Sequence, residues 1–260
     1  MNVINNISLT EKRFSVNVYD LDINVSSTMM LICNWFQDVG ISHGMLITKD
    51  AGISNADIIF VLTRLHVKMD SFPSWNETVK IESWLSPIKD RYIIRNFEVY
   101  NSRGKIIGRG INSAVSFSMK ERRGVTIDLD ANMVQTLDRR PPIPHEFEKL
   151  PLVENCDYEN SISVRYFDCD LYRHVNNVKY IQWCAEALPS DFLKNHVLHE
   201  IDINFRAEAN FGDTLTSKAV KGPGESAFYH AITDSKGTRD LVRMKSVWRE
   251  REPGFSSIPG

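Results

Sequence analysis

His174 and Glu208 are the residues of this 260-residue chain whose type and setting best suit acid–base chemistry. His174 is followed by Val175-Asn176-Asn177 and then by Val178, Ile181, Ala185 and Leu188 at helical spacing, so its imidazole stands just ahead of a buried helix. A helix start offers unpaired backbone N–H groups and a partial positive charge, which together can hold a developing oxyanion. Glu208 closes a strand that begins near His199, and a carboxylate set there in an apolar pocket can serve as a general base toward water. Alternation along that strand also groups Glu208 with Asp202, Asn204 and Arg206, opposite Ile201, Ile203, Phe205 and Ala207, which describes a solvated face equally well. Asp170 either orients an active-site group or caps the approach to the helix. Asn176 and Asn177 are either substrate contacts or cap residues.

Other chemistries lack their residues. There is no glycine-rich phosphate loop, no Gly-x-Ser-x-Gly elbow and no His-Glu-x-x-His helix, and nothing in the sequence calls for a metal or an organic cofactor. Cys169 lies near His174 in sequence, but a Cys–His mechanism requires the two side chains to touch. Cys33, Cys156, Cys169 and Cys184 have neither metal-ligand spacing nor disulfide density. They read as reduced thiols, with Cys33 and Cys184 buried. Thirty-one Lys and Arg against thirty-three Asp and Glu leave a formal charge of -2, so no global basic field points to nucleic acid or an anionic membrane. Met1 to Ile7 carries no leader pattern and no stretch has the length of a membrane span, which sets the cytoplasm as the expected compartment.

The elements that must position His174 and Glu208 come from an internal repeat. Asp20, Asp22 and Trp35 recur as Asp168, Asp170 and Trp183 at an offset of 148. Leu65, Val67 and Met69, with Trp75 to Val79 after them, recur as Ile201, Ile203 and Phe205, with Phe211 to Leu215 after them, at an offset of 136. Asn101-Ser102-Arg103-Gly104 matches Asp234-Ser235-Lys236-Gly237 at an offset of 133, and both read as hairpin turns. Order is kept while the offsets shrink, which is the mark of duplication with loop deletions. Ser26 stands where the second copy has His174, and Phe72 where it has Glu208, so one copy alone retains both groups.

Each copy reads as a buried helix followed by long strands. The helices start from the apolar run Met29 to Phe36 and from Val178. The first set of strands is 57–69, 77–85, 92–100 and 105–119, and the second is 199–207, 214–220, 226–233 and 241–249. One buried helix with an antiparallel meander around it is the hotdog arrangement, here built twice, an α+β tandem double hotdog. Residues 1–129 form the expected N-terminal hotdog domain and 161–260 the C-terminal one. The charged, proline-bearing stretch 130–160 forms the linker.

The run Asp168-Cys169-Asp170-Leu171-Tyr172-Arg173-His174-Val175-Asn176-Asn177-Val178-Lys179-Tyr180-Ile181 resembles the signature of plant and bacterial acyl-acyl carrier protein thioesterases. Pro73 to Trp84 is similar to their first-domain motif, and Phe205-Arg206-Ala207-Glu208 to their second-domain strand. The resemblance implies that Asp170, His174 and Glu208 belong to an active site, with Glu208 helping to activate water. It implies further that the first domain shapes an acyl-chain pocket while the second supplies the chemistry. Tyr172 stands where that family commonly has a catalytic Asn, and a phenol cannot supply an amide's paired donor and acceptor. Ala209 stands where a cysteine often follows the glutamate, so no thiol nucleophile is available there.

The expected reaction is therefore general-base release of a fatty acid from acyl carrier protein, without cofactor, by a monomer or a homodimer. Lys120, Arg122, Arg123, Arg139 and Arg140 either guide an acidic carrier or are ordinary solvated charge. An acyl-coenzyme A thioesterase and a non-catalytic acyl or acyl-carrier binder are the competing expectations.

Overall fold

The computed structural model describes residues 5–6, 9–50, 58–86, 92–126, 141–143, 147, 149–224 and 226–251. The first copy contributes β1 (Asn5–Asn6), β2 (Leu9–Ser15), α1 (Met29–Asp50), β3 (Ile58–Met69), β4 (Thr78–Leu85), β5 (Tyr92–Tyr100), β6 (Ile106–Ser118) and β7 (Arg123–Gly124). The second contributes β8 (Tyr158–Ser163), α2 (Asn177–Glu186), α3 (Ser190–Asn195), β9 (His196–Phe205), β10 (Thr214–Lys221), β11 (Ala227–Asp234) and β12 (Asp240–Glu250). All of the strands join one antiparallel sheet in the order β1-β2-β4-β5-β6-β3-β9-β12-β11-β10-β8, with β7 attached to β6.

Apart from β1, this order reads the same from both ends once each strand is replaced by its repeat partner, so the duplication in the sequence is a pseudo-two-fold in the fold. The axis can be located. In the central β3–β9 pairing, Leu65 faces Ile203, Val67 faces Ile201, and His66 faces Asp202. His66 and Asp202 are themselves 136 positions apart, so at that point each residue pairs with its own counterpart. Leu65, Val67, Ile201 and Ile203 are all buried and carry the core across the join between copies. The expected turns also form, with Gly104 and Gly237 in the left-handed region at φ 76° and 69°, closing the β5–β6 and β11–β12 hairpins.

Three features go beyond the sequence expectation. β2 and β8, the strands ahead of each helix, were not anticipated. Their alternation is weak because they pair at the outer edges of the sheet, and β8 takes in the last three residues of the expected linker. α1 runs 22 residues, well beyond the apolar run Met29 to Phe36. The apolar run ends there and Gly40 and Gly44 follow, yet Val39, His43 and Ile47 at four-residue spacing are all buried, so tertiary packing overrides poor local propensity. α3 is a single short helix with no buried residue, and carries too little apolar pattern to read.

Each helix packs against the sheet of its own copy through different chemistry. Phe36 of α1 stacks on Phe97 of β5 with ring centroids 4.2 Å apart. Gly110 on the adjacent strand makes room for it, because a Cβ there would fall 2.3 Å from the Phe36 ring. The equivalent positions in the second copy are Cys184 and His230. Both are buried, and His230 Nε2 lies 2.7 Å from Ser246 Oγ, which also accepts a hydrogen bond from Trp248 Nε1. Burial pushes the His230 imidazole down to about 3. Burial, reinforced by the nearby Arg249 charge, pushes His199 down to about 4. On the outer face, His66 and Lys68 hold Glu200 down at about 2, the His66 hydrogen bond contributing most.

All three folded-state values lie below the unfolded ones of 6.5 for histidine and 4.5 for glutamate. Each group therefore adds stability that is complete above its unfolded value and is lost as the pH falls. The urea midpoint should drop steadily from pH 6.5 toward pH 3, with the two histidines accounting for the upper part of that window. His230→Phe, which installs the first copy's residue, should flatten the decline in urea titrations at several pH values.

Candidate active site

The residues ahead of each helix fold into the same turn twice. Val18–Asp20 and Tyr166–Asp168 are matching 3-10 turns. The bridges Leu21–Ser27 and Cys169–Val175 match, and Val25 and Arg173 both adopt positive φ, at 59° and 68°. An aspartate builds the turn in both copies. Asp22 Oδ1 accepts from the backbone N–H of Asn24 and Ser26, and Asp170 Oδ1 accepts from Tyr172 N–H at 2.8 Å. The Asp170 N–H donates in turn to the His174 carbonyl at 2.9 Å. A β-branched residue at positive φ, as at Val25, is strained, and such a conformation persists only where its surroundings over-determine it.

In the second copy this turn places His174 against a neighbouring segment. His174 bridges Asn210 through the backbone, Val175 N–H donates to the Ala209 carbonyl at 3.0 Å, and Ala209 N–H donates to the Tyr180 hydroxyl at 2.9 Å. Arg239, from the β11–β12 hairpin, donates to the Glu208 carbonyl. Loop 207–210 is thereby clamped between the His174 turn, α2 and a hairpin. His174 Nε2 and Glu208 Oε2 meet at 3.3 Å. β9 ends at Phe205, so strand alternation does not decide where Glu208 points, and the grouping with Asp202 and Arg206 does not extend to it. The pocket expected around its carboxylate is open, because the Glu208 side chain is 56% exposed and that of His174 39%.

The remaining expected residues take distinct places. Asp170 makes the turn. Tyr172 lies on the same turn, 44% exposed. Asn176 is the cap of α2, its Oδ1 accepting from Val178 N–H at 2.9 Å, and Asn177 is the first helical residue. Cys169 bridges Val175 through the backbone, and its thiol is directed to the Arg165 carbonyl. Of the basic residues, Lys120, Arg122 and Arg123 are exposed around β7, with Arg123 paired to Glu121 at 2.6 Å; Arg139 and Arg140 lie outside the described residues.

Three contributors were missed. Gln37 of α1 donates to Asn176 Oδ1 at 3.2 Å, linking the first copy's helix to the start of the second's. Tyr180, which burial pushes well above the ordinary phenol range, and Arg239 hold the Glu208 loop. Tyr180 was visible within the quoted motif; Gln37 and Arg239 had no local signal. The repeat also held an unread clue, since Asn24 occupies the position equivalent to Tyr172. The first copy keeps the amide without the imidazole, and the second keeps the imidazole without the amide. At that first-copy turn, Val18, Leu21, Asp22, Val25 and Trp75 line a cavity of about 160 Å³, and Asp22 is closed off by Arg251 at 2.6 Å.

An antiparallel sheet carrying a helix in each half, with an imidazole–carboxylate pair ahead of the helix in the second half and none at the equivalent turn of the first among the described residues, defines a tandem double hotdog protein with one candidate active site at that turn. Comparison with known proteins makes this specific. Residues 8–133 match the acyl-ACP thioesterase N-terminal domain and residues 154–250 the acyl-ACP thioesterase C-terminal domain. The chain belongs to the acyl-ACP thioesterase family.

Among curated relatives, a chloroplastic acyl-[acyl-carrier-protein] hydrolase of Cuphea viscosissima is 24% identical over 95% of this chain, and oleoyl-acyl carrier protein thioesterase 1 of Arabidopsis thaliana is 25% identical over 94%. The chain spans 64% of the length of the former and 78% of the latter. The solved 12:0-ACP thioesterase of Umbellularia californica superposes with a TM-score of 0.83 at 23% identity, over 95% of this chain and 99% of that one. An acyl-ACP thioesterase from Bacteroides thetaiotaomicron superposes with a TM-score of 0.80 at 21% identity, over 93% and 98%.

If Asp170 serves the turn, its loss should cost stability in the way that loss of its twin does. Asp170→Ala, which leaves the Tyr172 N–H without its acceptor, should lower the urea unfolding free energy by about 1–2 kcal/mol. Asp22→Ala should cost at least as much, since it strands the Asn24 and Ser26 N–H groups and also releases Arg251.

Proposed function

We propose that the chain hydrolyses the thioester of a fatty acyl group carried on acyl carrier protein. The observation that carries this reading is the 3.3 Å contact between His174 Nε2 and Glu208 Oε2, present in one copy and replaced by Ser26 and Phe72 in the other. Membership of the acyl-ACP thioesterase family supports the substrate class, and the relatives named above are hydrolases or thioesterases acting on acyl-carrier substrates.

The chemistry follows from the geometry. Glu208 accepts the proton of a water held against it as the water oxygen attacks the thioester carbonyl, with His174 orienting the carboxylate and relaying the proton. The carbonyl oxygen becomes negative as the tetrahedral intermediate forms. The positive end of α2, three residues beyond His174, is the group that can stabilise it. Collapse breaks the carbon–sulfur bond, the proton passes to the departing thiolate, and free fatty acid and carrier thiol result. Exposure of both side chains leaves this centre open to a substrate that arrives on a protein. Asp170 acts as a positioning residue through the Tyr172 and His174 backbone.

Glu208→Ala and His174→Ala should each reduce kcat for free-thiol release from acyl-carrier substrates by about 10²–10⁴-fold, the usual range for a general base. An unchanged kcat in both variants would dismiss the pair. A parallel panel of acyl-coenzyme A substrates separates the carrier thioesterase from its closest rival, and wild-type binding without turnover would favour the non-catalytic binder.

Tyr172→Asn restores the amide that Asn24 retains in the first copy, and with it a paired donor and acceptor beside His174. Its kcat should exceed that of wild type. Steady-state rates on the same substrate at matched pH would test this.

A further inference from the structure

Arg95 of β5 is 8% exposed and points inward, beneath α1. Its Nη1 donates to His43 Nδ1 at 2.6 Å and lies 3.3 Å from Ser83 Oγ. Among the described residues no carboxylate pairs with it. A buried charge is ordinarily paired, because its desolvation is costly, and here burial pushes the guanidinium down to about 10. Thr10, directly across the β2–β4 pairing from Ser83, is fully buried, and its hydroxyl finds no partner. The cluster thus holds a guanidinium fork and two hydroxyls facing the interior, with donor capacity in excess of the acceptors around them.

α1 itself leads back to the candidate active site. Gln37 touches Asn176 at the start of α2, and His43 lies six residues further on, about 9 Å at the helical rise. Phe36 and Val39 line the interval with apolar surface. Gly40 and Gly44 bracket His43, and a Cβ at Gly40 would sit 3.7 Å from the Arg95 stem, so the helix lies bare over it. Two glycines also weaken this part of α1 relative to alanine, which eases displacement of His43.

We propose that Arg95, Ser83 and Thr10 form a recognition site for the far end of the acyl chain, selecting chains that end in a carboxylate, with that carboxylate replacing His43 on the guanidinium. This rests on the reading of the chain as an acyl thioesterase and adds a substrate class to it. The planar fork of arginine suits a bidentate carboxylate, and a methyl terminus would leave the charge without a partner.

Two measurements test it separately from the hydrolytic reading. Thioester hydrolysis compares dodecanoyl with the equally long ω-carboxyundecanoyl groups on the same carrier, and calorimetry measures binding of free dodecanoate and dodecanedioate to the intact protein. Wild type should favour the ω-carboxyl substrate and the dicarboxylate by about ten-fold or more, the scale of one charge-assisted pair. Arg95→Met should reverse both preferences, and Thr10→Val, a smaller change that guards against misfolding of the first variant, should reduce them. Hydrolysis of both substrates with equal or opposite preference, together with equal binding of the two acids, overturns the terminal site while leaving the thioesterase reading intact. Failure to hydrolyse either substrate, with tighter dicarboxylate binding that Arg95→Met abolishes, does the reverse.

Discussion

Everything in the molecule is organised around the pairing of β3 with β9. These two strands bury Leu65, Val67, Ile201 and Ile203 at the join, and their antiparallel register sets the copies edge to edge about the His66–Asp202 pair. Once that register is in place, a single continuous sheet can hold both helices, and α1 comes within reach of the start of α2. A shift of one residue would turn Leu65, Val67, Ile201 and Ile203 out of the core together. The contact from Gln37 to Asn176 depends on this register although no residue of β3 or β9 takes part in it.

Duplication also explains the division of labour. Both copies preserve the scaffold of the turn, namely the aspartate, the bridge and the positive φ, because that turn launches a buried helix and its backbone groups need partners. The side chains standing on the scaffold have diverged. Phe72 and Ser26 leave the first copy without a proton-transferring pair, and Arg251 closes its aspartate, while the second copy has gathered Tyr180, Arg239 and the 207–210 loop around His174 and Glu208. The helix–sheet contact has diverged in the same way, from a Phe36–Phe97 stack to a Cys184 and His230 pair, so each half is tuned apart from the other. The first copy buries a cation beneath its helix and the second buries neutral histidine, a difference in interior chemistry that identical folds do not require.

Much of this was legible in the residues. The repeat, the long strands from Tyr92 to Tyr100 and Thr214 onward, and the hairpin glycines rest on period-two burial and on φ > 0 turns, both local properties. His174 and Glu208 were separable from dozens of other polar residues because the second copy differs from the first at those two places. The length of α1 past Phe36 is not carried by the local pattern, since Gly40 and Gly44 disfavour a helix there and the sheet beneath supplies the burial that keeps it. β2 and β8 escaped because a strand at or next to the sheet's outer edge, paired on one side along most of its length, needs little alternation.

What the sequence determined by itself was the inventory: two copies of a helix and its strands, an aspartate turn before each helix, and one copy with an imidazole and a carboxylate. Those follow from composition and spacing, which are written along the chain. Tertiary structure alone decided that Glu208 leaves its strand before its direction is set, that Tyr180 and Arg239 fasten it within 3.3 Å of His174, and that Arg95 lies without a counter-charge among the described residues under a bare stretch of helix. The reason is that side-chain meetings between residues far apart in the chain depend on where the backbone is held, and the backbone is held by the central strand pairing, which no local pattern encodes.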